Sequence, residues 1–296
     1  MADFSEKNPE KLETLAQNNA DQIEKLTISA VDEAQSSKED ANLIAKVIAV
    51  ASDELVNKVV EEVSKNSTDE NQALSAKVMK SIVDTNPDKI NVLNDENKEV
   101  IIDQTIEAAK NQAEAVLTDD IDLSNIIAEI ITKSDIETSG SVIETLEEIS
   151  NESDSKLSLN VFINLTKQEN YEEKIEILSV TSSITEQNIT KLIEKAVENV
   201  SSADDKELIT DLVENSKDTI ANIIINSANN NEKNKKVVSE IVVKIIEKNP
   251  EKAVEIIEKN ENTNAVLETI KTKIENGEAV NSSDFDEVFD QNLSPN

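Results

Sequence analysis

Residues 237–260 read VVSEIVVKIIEKNPEKAVEIIEKN, and the spacing of their apolar members decides what kind of chain this is. Val237, Val238, Ile241, Val242, Ile245 and Ile246 recur at three and four residues, which places them along one face of a helix. Val and Ile suit strands, but a strand alternates every second residue and this pattern does not. Asn249 is a residue type that caps helix N-termini. Pro250 fits the first turn that follows, where its missing N–H costs nothing. Ala253, Val254, Ile256 and Ile257 then supply a second apolar face. The stretch predicts two helices joined by a tight break.

The same alternation of apolar stripe and polar break runs outward in both directions. Upstream it predicts helices over residues 8–19, 21–35, 39–51 and 53–65, the last capped by Ser52 with Leu55, Val56, Val59, Val60 and Val63 inward. A capping-box pattern at residues 67–70 opens a helix carrying Leu74, Val78, Met79, Ile82 and Val83. Asn86 and Pro87 open a short helix with Ile90, Val92 and Leu93, followed by one over 99–112 with Val100 inward. After a break near 118–122 come helices over 123–133, 142–150 (following a Gly140 turn) and 155–167. Capping-box patterns at 170–173, 183–186 and 202–205 start three more. Ile175, Ile177, Leu178 and Val180 are expected inward on the first of these, and Leu208, Ile209, Leu212 and Val213 on the third. Helices over 219–228 and 264–275 flank the opening stretch.

The punctuation repeats. Asn-Pro-acid-Lys occurs at residues 8–11, 86–89 and 249–252, the second copy 78 residues after the first and the third 163 after the second. Those offsets are about two and four multiples of a period near 40 residues, the length of a two-helix solenoid unit. Val78, Met79, Ile82 and Val83 match Ile241, Val242, Ile245 and Ile246 at that same 163-residue offset. In architecture, residues 8–276 resemble α-solenoids of the armadillo or HEAT type. The resemblance implies an all-α, right-handed α-solenoid of stacked antiparallel hairpins, roughly sixteen to eighteen helices in all. Residues 1–276 are expected to form that body. Each apolar stripe is too wide for one partner, so neighbours must stack to bury it. Glu54/Lys58, Glu61/Lys65, Glu240/Lys244 and Glu255/Lys259 sit at i, i+4 on the opposite faces, each pair adding only about 0.2–0.5 kcal/mol.

Residues 277–296 depart from the pattern and read as an acidic C-terminal tail. Ser283 is placed to cap a short amphipathic helix with Phe285, Val288 and Phe289 on one side. Those three residues are candidates either for covering the last repeat or for docking a protein.

Composition narrows function mostly by exclusion. Hydrophobic residues make up 37% and aromatics 2%, so the core must be built from Ile, Val, Leu and Ala. The net charge is −33, and every basic residue is Lys. Such a surface repels phosphate backbones and anionic headgroups, which argues against nucleic-acid and membrane-surface roles. The abundance of Lys, Asn and Ile without Arg is also what an AT-rich genome produces. Acidity is also what adaptation to salt produces. No basic, apolar leader opens the chain and no apolar run reaches the roughly 18 residues of a spanning helix. The expectation is a soluble, cytoplasmic protein, although export by a larger system remains compatible.

With no His and no Cys, the commonest general base, the thiol nucleophile and the imidazole and thiolate metal ligands are missing. Gly140 and Gly277 stand alone, too few for a phosphate-cradling loop. Ser153 and Lys156 fit S-x-x-K without its companion motifs. Adjacent acids at Glu61/Glu62, Glu147/Glu148 and Glu172/Glu173 should face different ways on their helices. Residues 135–140 imitate the start of a calcium loop, with acids at its first and third positions and Gly140 at its sixth. Ile143 and Leu146 then stand at its ninth and twelfth. A Gly turn before a helix is the simpler reading. Asn66, Asn164 and Asn188 begin Asn-x-Ser/Thr triplets that an Asn- and Ser-rich chain forms by chance.

No catalytic residue, cofactor or metal site is therefore expected. The sequence favours a non-enzymatic interaction scaffold using an extended helical-repeat surface, with a basic protein or peptide as partner. Self-assembly into a filament- or coat-like structure, and divalent-cation binding by the acidic surface, are the competing readings.

Overall fold

The structure is a computed structural model, and it describes residues 51–67, 73–113, 122–151, 156–215, 218–229, 231–259 and 265–281, with isolated positions at 25, 44, 46–49 and 284. The described residues are 86% helical, with no strand among them. They comprise fourteen α-helices and one 3-10 turn, against the sixteen to eighteen helices expected for the whole chain. The helix predicted over 8–19 lies outside the described residues, as does that over 21–35 apart from Lys25. The chain divides into two compact units, residues 1–170 and 171–296.

In the first unit α1 is Asp53–Asn66, α2 Ala73–Thr85, α3 Asp88–Asn91, α4 Asp95–Ala113, α5 Leu123–Lys133, α6 Ile136–Asn151 and α7 Leu157–Leu165. Helix α1 shows why these segments fold as they do. The Ser52 hydroxyl accepts from the Leu55 N–H at 3.4 Å, Asp53 and Glu54 occupy the first turn, and Lys65 the last. Cap and charges all complement the helix dipole. Leu55, Val56, Val59, Val60 and Val63 form the buried stripe. In α5 the Asp122 carboxylate accepts from the N–H groups of Ser124 and Asn125 at 3.1 and 3.3 Å, and Ile126, Ile127, Ile130 and Ile131 are buried. Among the described residues the core holds one large aromatic anchor, Phe162 of α7, 2% exposed.

The second unit contains α8 (Tyr171–Thr181), α9 (Ser183–Asn199), α10 (Ala203–Asn215), α11 (Asp218–Asn226), the 3-10 turn Ser227–Asn229, α12 (Glu232–Lys248), α13 (Pro250–Lys259) and α14 (Ala265–Glu275). The stretch that decided the fold behaves as read. Asn249 Oδ1 accepts from the Lys252 N–H at 3.1 Å and Pro250 opens α13. Val237, Val238, Ile241, Val242, Ile245, Ala253, Ile256 and Ile257 are buried, while Ile246 and Val254 are half-buried at the stripe's edge.

Several local expectations need correction. Helix α6 begins at Ile136 rather than after Gly140, because Asp135 Oδ1 accepts from the Thr138 N–H at 2.8 Å and starts the helix upstream of the glycine. A glycine inside a helix costs about 1 kcal/mol, which does not stop it. Helix α4 begins one turn early, at Asp95, with Asn94 Oδ1 accepting from the Asn97 N–H at 2.8 Å. Asn170 has φ 60°, in the left-handed region, so it links α7 to α8 instead of capping it. The cap of α9 is Ser182, one residue before the predicted Ser183. At residues 202–205 the capping box is reciprocal. Ser202 Oγ accepts from the Asp205 N–H, and Asp205 Oδ2 from the Ser202 N–H, both at 3.0 Å. Val100, Ile177, Val180 and Leu208, expected inward, are exposed. On α8 Ile175 and Leu178 take the buried stripe, and positions two residues from either fall on the opposite side.

Within each unit, polar side chains bridge segments roughly one repeat apart. Asn57 Nδ2 donates to the Val92 carbonyl at 3.0 Å and Asn57 Oδ1 accepts from the Asn94 N–H at 2.7 Å. Asn97 Nδ2 donates to the Asn57 carbonyl at 2.9 Å. Gln104 Nε2 donates to the Ser64 carbonyl at 2.9 Å, and its Oε1 accepts from the Ser75 hydroxyl at 2.5 Å. Asn164 Nδ2 donates to Asp122 Oδ2 at 2.8 Å and Gln168 Nε2 to Asn125 Oδ1 at 3.0 Å. In the second unit ion pairs take that place. Lys206 pairs with Glu240, Lys248 with Asp211 at 2.7 Å and with Glu207 at 3.9 Å. Glu240, expected to pair with Lys244, is engaged by Lys206.

Candidate acidic groove between α4 and α6

Helices α4 and α6 pack against each other within the first unit. Side chains of both helices line a cavity of about 400 Å³. Helix α4 supplies Asp95, Lys98, Glu99 and Ile102, which recur at three and four residues and so share a face. Helix α6 supplies Glu137, Ser141, Glu144, Thr145 and Glu148 on the same principle. The two corrections to the helix starts matter here. The extra turn of α4 brings in Asp95 and Lys98, and the early start of α6 brings in Glu137.

Five carboxylates therefore face one ammonium. Two of them also act on a neighbour. Burial pushes the Asp103 carboxyl above its ordinary range; Glu99 and Glu148 push the same way, and a hydrogen bond from Thr145 opposes them. Asp95, Glu99, Glu137, Glu144 and Glu148 are solvent-exposed, so the rim is hydrated and its charges reach into solution. Lys98 is 9% exposed and lies among them.

Other candidates from the sequence sort differently. Phe285, Val288 and Phe289 lie outside the described residues, as does Ser153. Immediately before them Lys273 pairs with Asp284 at 2.7 Å, and Asp284 Oδ2 accepts from the Asn281 N–H at 2.8 Å. The ammonium of Lys273 holds the Asp284 carboxyl below its usual range. Residues 135–140 form no cation loop, since 136–140 are helical. Among the described residues no group of three or more carboxylates is arranged to hold a metal ion. Glu61 and Glu62 both reach Lys65, at 2.6 and 2.8 Å, so adjacent acids here converge on one cation. By contrast Glu147 is buried and Glu148 exposed. Asn164 is 6% exposed and holds Asp122, and Asn188 is 8% exposed, which leaves neither amide open to a sugar.

Sequence reasoning missed the groove because its two walls lie about 40 residues apart. The available signal was the period itself: Glu99 to Glu137 and Asp103 to Glu144 are roughly one repeat apart. No described helix is long and apolar enough to cross a membrane. No model of a known protein family matches the chain, and no curated protein matches it in sequence.

Proposed function

We propose that this protein is a non-enzymatic interaction scaffold of the cytoplasm. Its body, residues 1–276, would be a right-handed α-solenoid, and 277–296 a tail whose Phe285, Val288 and Phe289 serve docking. The observation that carries the reading is the reach of the packing. Within each unit the substantial helix contacts extend no further than three helices along the chain, and the polar bridges span about one repeat. Packing of such short reach supports a stacked array over a closed globule. The net charge of −33 favours basic protein or peptide partners.

Solution scattering tests the architecture. A compact globule of this length has a radius of gyration of about 19 Å; a solenoid gives a clearly larger value, and 19 Å would sink the reading. The partner class is tested by calorimetry of the intact chain with a basic protein over a range of ionic strengths. Affinity should fall steeply with salt, and binding indifferent to salt refutes the electrostatic basis.

A further inference from the structure

Lys98 is the unusual member of the α4–α6 groove. It is nine-tenths buried, lines the cavity, and among the described residues makes no ion pair and donates no side-chain hydrogen bond. Its stem is buried while its ammonium opens on the groove, where its donors are free for a ligand's acceptors. The carboxylates around it are solvent-exposed, and none of them pairs with it. A simple anion would satisfy Lys98 but meet five negative charges on the way in, and a simple polycation would satisfy the rim but repel Lys98. A peptide carrying basic side chains offers both kinds of group, since every residue brings a carbonyl oxygen.

We infer that the α4–α6 groove binds an extended, lysine- or arginine-bearing peptide segment, with the Lys98 ammonium donating to a backbone carbonyl of that segment. The basic side chains lie on Glu99, Glu144 and Glu148. Dimensions agree. Residues 137 to 148 of α6 span about 16 Å at 1.5 Å per residue, which an extended chain covers in about five residues. Alternate side chains of an extended chain are about 6.6 Å apart, and Glu144 and Glu148, one helical turn apart, are about 6 Å apart along the axis. The segment therefore carries its basic residues at every second position. This deepens the scaffold reading and rests on it.

The test turns on the sign of one effect. The intact chain is titrated at low salt with a labelled, acetylated heptapeptide bearing lysine at every second position, and separately with spermine, which has charges but no carbonyl. Lys98→Met should weaken the heptapeptide about tenfold, the worth of a charge-assisted hydrogen bond, and should tighten spermine by removing a repelling charge. The exposed-rim double change Glu144→Gln, Glu148→Gln should weaken both, by about tenfold for the peptide. Circular dichroism checks that each variant is folded, and Lys98→Gln, which retains a donor, replaces Lys98→Met if the latter melts early; it should weaken the peptide by less than tenfold and still tighten spermine. Heptapeptide binding that is unchanged or tighter in Lys98→Met overturns the carbonyl contact. Heptapeptide binding unaffected by the rim change places the site elsewhere and overturns the groove while the scaffold reading stands. No heptapeptide binding by the unaltered chain also overturns the groove, and the scaffold is then judged on scattering and on the basic-protein titration alone.

Discussion

The two units bridge their helices with different chemistry. In residues 1–170 the bridges are mainly neutral amides: Asn57, Asn97, Gln104 and Gln168 each hold a group from a neighbouring segment. In residues 171–296 they are ion pairs, Lys206–Glu240, Lys248–Asp211 and Lys271–Glu258. An amide bonded to a backbone group has fixed geometry and no net charge, so ionic strength leaves it alone. A half-exposed ion pair is screened by salt and contributes little. In a chain of net charge −33, the first unit is thus cross-linked mainly by amides, with Lys89 alone among the bridges described reaching the Ala51 carbonyl and Asp53, while the second relies on Lys to relieve its own repulsion.

The largest expected effects test what the units share. Phe162→Ala should destabilise the first by about 3–5 kcal/mol and Ile241→Ala the second by about 2–5 kcal/mol. Hydrogen-exchange mass spectrometry would show which helices open. If either change loosened both units equally, the division at residue 170 would not be an energetic one.

Asn57→Ala comes next. It removes the donor to the Val92 carbonyl and the acceptor for the Asn94 N–H, at a cost of about 2–3 kcal/mol. Exchange should accelerate in α1 and α4 while α9–α13 keep their protection. Lys206→Gln in the second unit should cost no more than about 1 kcal/mol. Measuring both costs by urea denaturation, with and without 1 M salt, sharpens the contrast, since the Lys206 effect should shrink and the Asn57 effect should not. Equal salt sensitivity would dissolve the distinction.

The smallest effect concerns Asp103. Its carboxyl is raised in the folded state, so the folded protein holds that proton more tightly than the unfolded chain does. Stability from this group grows as pH falls from neutral through the raised value, and levels off below the ordinary carboxylate range. Asp103→Asn should therefore raise stability at pH 7. The group is only half-buried, so water screening keeps the gain under about 1 kcal/mol. The gain should vanish near pH 4, and a loss at pH 7 would contradict the repulsion from Glu99 and Glu148.

What the sequence disclosed was the local physics. Apolar residues at three- and four-residue spacing marked the helices, and Ser52 and Asn249 marked their starts, because both signals are written in contiguous residues. Gly140 misled because a residue that weakens a helix was weighed without the Asp135 cap that begins it earlier. Asn170 misled because the same side chain serves a cap or a left-handed turn, and only the backbone decides between them. The asparagines were the larger loss. Their abundance is what an AT-rich genome yields, yet Asn57, Asn97 and Asn164 make specific tertiary bonds whose partners lie about 35 to 42 residues away. The α4–α6 groove was hidden for the same reason, since each wall alone is an ordinary solvated helix face.

Tyr171 has a consequence for optics. It is the chain's single tyrosine and there is no tryptophan, so nearly all absorbance and emission in the near ultraviolet arises at the first residue of α8. Burial, reinforced by Glu172, pushes its phenol up to about 12, whereas a free tyrosine ionises near 10. An alkaline spectrophotometric titration would thus follow one chromophore at one address, and an early rise in phenolate would announce the opening of that helix before any other signal changed.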